Sequence, residues 1–455
     1  MVDFSKFTKY SKPGPRYTSY PTAPEFHENF KEEDLVSFYK NQSDDRPLSL
    51  YIHLPFCRSA CYFCGCNVIF TSKEDKKVKY VEYLKKELQI LKKHLNTNRT
   101  VSQMHFGGGT PTFFSADQLK EVITAIKEVF PNFEDDAEIS CEIDPRFFTQ
   151  EHMDVLKDGG CNRLSFGVQD LDPKVQETIH RVQPFETTKN VMDIARKAGI
   201  NSINIDLIYG LPYQTKESFA KTIREIITLN PDRLAVFNYA HVPWMMKTQR
   251  KFDETTFAPP STKLEILQDT IGFFTSNGYK MVGMDHFAKP TDELFQAIEK
   301  GELHRNFQGY TTKGGADLIG IGVTSIGNGI DYYVQNFKDL KSYESAIDSG
   351  HLPVFKGYSL NDDDILRQYV IMELMSNFSL DIKRVEEKFN INFEEYFADA
   401  IIALKEFEEA EILTIDSNKI QANETGAMLI RNISMPFDAY LNNIPEDKRR
   451  FSKTI

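Results

Sequence analysis

The 455-residue chain is short of several things, and each shortage removes a class of protein. It has six cysteines, too few and too unevenly spread for a disulfide-built secreted domain. No run of about 18 apolar residues occurs, so no conventional membrane span is expected. The first residues, MVDFSKFTKYSKPGPRYTSYPTAP, lack the apolar core of a signal peptide. These features predict a cytoplasmic protein with no membrane association, where structural disulfides are rare. Positive charge is also in deficit. A net charge of −12 argues against nucleic-acid binding, which needs a basic surface to displace counterions. It leaves room for an anionic small ligand served by local arginines. There is no polar low-complexity tract and no repeat beyond the pattern described next. With 41% hydrophobic and 26% charged residues, the chain has an ordinary globular composition and enough length for more than one domain.

From residue 48 a beat sets in: a short β-branched or aromatic run, a Gly/Pro turn, then an amphipathic helix. The runs are LSLYIHLPF, VSQMHFGGG, EISCEIDP, RLSFGVQ, INIDLIYGLP and RLAVFNYA. Helical stretches such as VEYLKKELQILKKHL and ADQLKEVITAIKEVF lie between them, with apolar residues at i, i+3, i+4 and i+7. Six strand-then-helix units imply an α/β fold with a parallel sheet and right-handed crossovers. Chemically capable residues recur just past strand ends, which favours a full or partial (β/α) barrel open at its C-terminal face; an open doubly wound sheet is the alternative. Residues 1–47 read as an extension kept extended by Pro13, Pro15, Pro21 and Pro24 before turning helical. The barrel core is assigned to 48–360. Residues 361–455 read as helices, then a hairpin around Asp416–Asn418, then a helix ETGAMLIRNISMPFDAYL, together a winged-helix-like domain. Its many acids predict docking on the barrel rather than on DNA.

Four of the six cysteines stand in CRSACYFCGC, at Cys57, Cys61, Cys64 and Cys66. Zinc sites usually take two C-x2-C pairs from separate turns, and no second pair exists: Cys141 lies inside a predicted strand and Cys161 follows a Gly-Gly turn. Three thiolates on one compact loop after a strand suit a cubane iron–sulfur cluster better, with the fourth iron left for a small molecule. Only Gly65 separates Cys64 from Cys66, so both could grip one ion only through a strained loop, and Cys66 is read as structural. GGGTP at 107–111 is either a ligand-cradling loop or a tight turn exploiting glycine's free backbone; it is not G-x-G-x-x-G. Tyr51 and His53 share one face of their strand. Glu142 and Asp144 end another, where an acid commonly caps a helix. Asp206 sits mid-strand between apolar neighbours and needs a partner if buried. Arg181 reads as a surface arginine, and Ile326 as barrel packing.

The C-x3-C-x2-C spacing resembles that of the radical S-adenosylmethionine (SAM) superfamily. Beyond it, PRYTSYPTA, LYIHLPFCRSACYFCGC, HFGGGTPT, EIDPR, NRLSFGVQD, NIDLIYGLP, DRLAVFNYAH, HRNFQGYTT and IGVTSIG resemble the oxygen-independent coproporphyrinogen III oxidase family, from about residue 15 to the final FSKTI. The N-terminal YTSYPTA and Cys66 separate it from a sister family of heme chaperones, similar in the barrel. The resemblance implies a [4Fe-4S] cluster on Cys57, Cys61 and Cys64, and two SAM sites. The first would use Tyr51, the loop residues Gly108, Gly109 and Thr110, Glu142 and Ile326. The second would use Phe63, Gly109, Thr110, Gln169, Arg181, Asp206 and Ala240. It further implies that a 5′-deoxyadenosyl radical takes a β-hydrogen from each of two propionates of coproporphyrinogen III. Loss of carbon dioxide and one electron then leaves a vinyl group, giving protoporphyrinogen IX in heme biosynthesis. Arg16 and Gln308 are candidates to meet the substrate's carboxylates. An electron-donor protein of the flavodoxin or ferredoxin kind is implied, and a monomer is the default expectation. A related tetrapyrrole radical SAM enzyme, a heme chaperone, and a zinc-stabilised DNA-binding regulator are the alternatives.

Overall fold

All six expected runs become strands: β1 (Leu48–Leu54), β2 (Val101–Gly108), β3 (Phe133–Ile143), β4 (Arg163–Gln169), β5 (Ser202–Tyr209) and β6 (Arg233–Asn238). In this computed structural model the described residues are 4, 7–41, 46–445, 451–452 and 454; parts of the expected N-terminal extension and of FSKTI lie outside them. The crossover helices start where side chains can cap them. Ser115, Thr149 and Thr215 each accept the backbone N–H three residues on and donate their own N–H to that residue's side chain, satisfying donors that would otherwise be orphaned. Their apolar stripes, such as Leu119, Val122, Ile123 and Ile126 on Ala116–Val129, bury against the sheet, worth roughly 1.5–3 kcal/mol per large side chain.

The chain continues with β7 (Lys280–Val282), β8 (His286–Ala288), β9 (Asp317–Ile321), β10 (Ile326–Asn328), β11 (Tyr332–Asn336) and β12 (Val354–Ser359). One twelve-stranded sheet runs β12-β11-β10-β9-β1-β2-β3-β4-β5-β6-β8-β7. From β9 through β6 all neighbours are parallel, and the flanks are antiparallel. Strands β1 to β6 stand side by side in chain order. With right-handed crossovers, that order puts every connecting helix on one face, which is the partial barrel and not the doubly wound alternative. The alternation in β5 shows the consequence: Ile203, Ile205, Leu207 and Tyr209 are buried, while Asn204 and Asp206 are half-buried on the concave side.

The later residues also show where pattern reading stops. The hairpin at 413–422 forms, and a third strand, Ser379–Asp381, completes a small sheet beside the helices Asp362–Asn377, Ile382–Phe389 and Ala398–Glu409. The expected single helix over ETGAMLIRNISMPFDAYL is instead four short pieces, Glu424–Met428, Ile430–Ser434, Met435–Phe437 and Ala439–Asn442. Pro436 has no N–H to continue the ladder, and Asp438 opens a new turn by accepting the N–H groups of Tyr440 and Leu441. One apolar core is continuous from the barrel helices through Leu366, Val370, Leu404 and Ile433. The N-terminal segment is sewn into the same body: Tyr10 stacks on Phe407 at 4.9 Å, Tyr17 donates to Asp438 at 2.9 Å, and Arg431 donates to the carbonyls of Gly14 and Pro15. Among the described residues no helix is long and apolar enough to cross a membrane.

Candidate active site

The cysteine loop leaves the C-terminal end of β1 and folds over the concave face. A cavity of about 240 Å³ opens there, lined by Cys57, Cys61, Cys64, Phe63, Gly108, Gly109, Thr110, Glu142, Gln169, Arg181 and Asp206 among others. Strand ends bring these together from positions up to 149 residues apart. The turn after β2 can lie this close only because it is glycine. A Cβ on Gly108, whose φ is +106°, would stand 2.5 Å from the His53 ring, and one on Gly109 would stand 2.6 Å from the backbone carbon of Pro55. Thr110 follows with its hydroxyl 3.4 Å from Cys57 Sγ.

Charge around the thiols is arranged by Asp144. Its Oδ2 accepts from Arg146 at 2.7 Å and from Arg181 at 2.9 Å, and both guanidiniums also donate toward Cys61 Sγ, at 3.6 and 3.7 Å. Burial pushes the Cys57 thiol up to about 12, so it ionises only with a compensating cation. Hydrogen bonding from Cys66 draws the Cys64 thiol below its ordinary range, and the Cys66 N–H donates to Cys64 Sγ at 3.4 Å. Arg181 is buried, contrary to the surface position that its local sequence suggests; it also donates to the Gly167 carbonyl at 2.6 Å, leaving its buried Nε without a partner.

Deeper on the concave face lies a polar relay. Tyr51 and His53 do share a face, joined hydroxyl to Nδ1 at 3.1 Å; Tyr51 stacks on His105 at 5.9 Å. His105 meets Ser140 through Nδ1 at 2.6 Å and Glu142 through Nε2 at 3.4 Å. Burial opposes ionisation of Glu142, but His105 and the Gly108 N–H together hold its carboxyl below the usual range. Asp206 is half-buried and not enclosed by apolar neighbours: Ser165 donates to it at 3.0 Å and Asn204 at 2.7 Å. Desolvation, then the nearby Glu142 charge, raises it to about 6. Gln169 ends β4 at φ +74°, where the register with β5 slips.

Tyr51, Ala240 and Ile326 stand outside the cavity wall. The Ile326 carbonyl packs over Gly320, which pairs with Tyr51. Ala240 is tied to the cysteine loop by a residue that sequence reading passed over. The Gln249 amide donates to the carbonyls of Phe63 at 3.0 Å and Ala240 at 3.3 Å, while its oxygen accepts the Val242 N–H at 2.6 Å. Arg16 is exposed and donates to the Asn238 carbonyl at 3.4 Å; Gln308 keeps a buried, unpartnered Oε1. Arg146, Ser165, Asn204 and His105 were also missed. Each had a signal, since it lies in a motif singled out by the sequence: EIDPR, NRLSFGVQD, NIDLIYGLP and HFGGGTPT.

A strand-end cavity with four thiols on one loop, Cys66 among them, three of them in C-x3-C-x2-C spacing beneath a glycine turn, defines the radical SAM class. Residues 51–226 match the Radical SAM superfamily model, and residues 360–429 match the HemN C-terminal domain model. A Helicobacter pylori (strain J99) protein named oxygen-independent coproporphyrinogen III oxidase is 59% identical over 100% of this chain and 99% of its own length. The protein of that name from Escherichia coli K12 is 45% identical, over 100% and 98%. A solved structure, titled coproporphyrinogen III oxidase (HemN) from Escherichia coli, superposes with a TM-score of 0.92 at 44% identity, over 97% of this chain and 99% of that one. The chain belongs to the oxygen-independent coproporphyrinogen III oxidase family of radical SAM enzymes, which use a [4Fe-4S] cluster and SAM. The residues present fit such cofactors: soft sulfur donors, a turn that a single Cβ would block, and a buried arginine with an unsatisfied nitrogen.

Proposed function

We propose that this chain converts two propionate side chains of coproporphyrinogen III to vinyl groups without oxygen, giving protoporphyrinogen IX in heme biosynthesis. Each propionate loses one hydrogen atom, one electron and carbon dioxide, and the cleavage of one SAM to methionine and 5′-deoxyadenosine takes up that hydrogen atom and, in net balance, that electron. The observation supporting this reading above all is end-to-end similarity to enzymes of that name, in a chain whose cavity gathers Cys57, Cys61 and Cys64.

In this reading those three cysteines hold the cluster and Cys66 does not. When bound, the reduced cluster supplies the electron that cleaves SAM and so generates the hydrogen-abstracting radical. The protein's own part is to position and to shield. Arg146 and Arg181 donate toward Cys61 Sγ, and Asp144 fixes both guanidiniums. Glu142, ionised, accepts from an ammonium; Gly108 and Gly109 offer backbone groups at close range. With Tyr51 and Ile326 behind them, these residues hold the first SAM. Asp206, Gln169, Arg181, Phe63, Thr110 and Ala240 hold a second, Asp206 accepting from ribose hydroxyls. Arg16 and Gln308 meet substrate carboxylates. We assign residues 1–47 to an extension, 48–360 to the barrel and 361–455 to the C-terminal domain. We place the protein in the cytoplasm as a monomer served by a separate electron donor, in keeping with six unpaired cysteines. Anaerobic incubation of cluster-loaded protein with coproporphyrinogen III, SAM and dithionite tests the proposal. The product should be lighter by two carbon dioxides and four hydrogens; an unchanged substrate mass would overturn it.

A further inference from the structure

The rim beside the cysteine loop runs against the charge of the whole molecule. The chain carries 66 acidic and 54 basic residues, yet residues 240–251, AHVPWMMKTQRK, hold Lys247, Arg250 and Lys251 with no acid. These cations are exposed, and no ion pair to a carboxylate is formed by any of the three among the described residues. The acids just beyond are occupied: Asp253 accepts the Thr255 N–H and Glu254 faces His241 at 3.2 Å. In the same segment as the cations, Trp244 is 53% exposed and Met245 69%. Large apolar side chains left in water next to unpaired cations mark a binding surface, and Trp, Met and Arg are enriched in such surfaces.

This patch is wired to the cluster-bearing loop. Lys251 Nζ donates to the Tyr62 hydroxyl at 3.2 Å and lies 4.4 Å from the ring centroid. Tyr62 sits between Cys61 and Cys64, stacks on His180 at 5.0 Å, and bonds through its N–H to Ile179. His180 in turn meets the Ala60 carbonyl at 2.8 Å. Gln249, in the middle of the basic segment, holds Phe63. The segment therefore forms the outer skin of the same loop whose inner side faces the cavity.

We propose that this surface docks a small acidic one-electron carrier protein, which enters against Lys247, Arg250 and Lys251 and around Trp244 and Met245. The proposal rests on the function proposed above, since it supplies that reaction's reductant. The carrier is oxidised by one electron and the [4Fe-4S] cluster is reduced by one, from the 2+ to the 1+ state, with no atom transferred. Redox encounters of this kind use small interfaces, and charge of opposite sign sets their on-rate and salt dependence.

The test uses full-length, cluster-loaded protein and a purified acidic flavodoxin, with the triple variant Lys247→Glu/Arg250→Glu/Lys251→Glu. A double variant that keeps Lys251 and its contact with Tyr62 guards against misfolding. Lys92→Glu/Lys93→Glu, at the far end of the helix Glu74–His94, makes a comparable charge change away from the patch. We expect the patch variants to weaken flavodoxin binding, measured calorimetrically at low salt, about tenfold or more, and to flatten its salt dependence. Cluster reduction by reduced flavodoxin, followed by absorbance and EPR, should slow to match, while reduction by dithionite is unchanged. Equal binding by all variants, or an equal loss in the Lys92/Lys93 variant, would overturn the proposal. So would a raised KM for coproporphyrinogen III under dithionite, which would make the patch a substrate surface. If unmodified protein fails to turn over even with dithionite, the proposed function falls, while the binding titration still judges the surface.

Discussion

Cys66 and Asp206 show what single residues decide. The Cys66 N–H touches Cys64 Sγ, but its own thiol has only a supporting place in the assignment. Cys66→Ser should therefore keep iron and sulfide at wild-type stoichiometry after reconstitution, whereas serine at Cys57, Cys61 or Cys64 should lose the cluster. Loss in all four would make Cys66 a ligand. Asp206 titrates near 6 in the folded chain against 3.8 for the free group. The folded state then binds more protons than the unfolded one between those values, so this residue's contribution to stability falls as pH rises from about 4 to 6. Asp206→Asn should stabilise the metal-free protein at pH 7 by about 1–2 kcal/mol, after allowing for partial solvent screening, and by nothing at pH 4. Urea titrations at the two values check this. That the loop's cysteines gather at one cavity was legible in the sequence because their spacing is local. Arg181 was not: what buries it is Asp144 and Cys61, 37 and 120 residues away, and nothing in its own neighbours signals that.

At the scale of elements, the turns matter more than the strands they join. Gly109 has Pro55 backbone where a Cβ would go, while Gly65, between Cys64 and Cys66, has nothing within 4 Å. Backbone cannot swing aside as a side chain can, so Gly109→Ala forces β1 and β2 apart at their ends. We expect it to cost about 2–3 kcal/mol and to abolish cluster retention. Gly65→Ala should change the melting temperature little and keep the cluster, although it lies nearer the thiols in sequence. The β/α beat was readable because each long element repeats its period several times. Strands β7 and β8 have three residues each, too few to show one. The clamp by Gln249 escaped for a related reason: a lone glutamine in a loop has no pattern, and its role exists only once the segments that follow β1 and β6 meet at Phe63 and Ala240.

At the scale of the molecule, the N-terminal segment and the last hundred residues hold each other to the barrel, and Arg431 is the joint. It is buried, and its guanidinium donates to the carbonyls of Gly14 and Pro15. Burial, reinforced by Arg16, lowers its pKa to about 9, so it stays charged at neutral pH. Nearby, Tyr17 donates to Asp438, and the Asn432 amide donates to the Tyr10 carbonyl. Arg431→Met keeps much of the volume but strands two buried carbonyls, each costing about 1–3 kcal/mol; we expect a loss of roughly 3–4 kcal/mol. Arg431→Lys, a single ammonium in place of a planar fork, should recover only part of it. Because the apolar core is continuous from barrel to C-terminal helices, the loss should appear in the main urea transition of the whole chain and not as a separate early step. Limited proteolysis in native buffer adds the location: Arg431→Met should open cleavage first within residues 7–30, before any cut in the barrel. Early cleavage at the Asp416–Asn418 turn instead would mean that the C-terminal domain folds independently of the segment Arg431 holds.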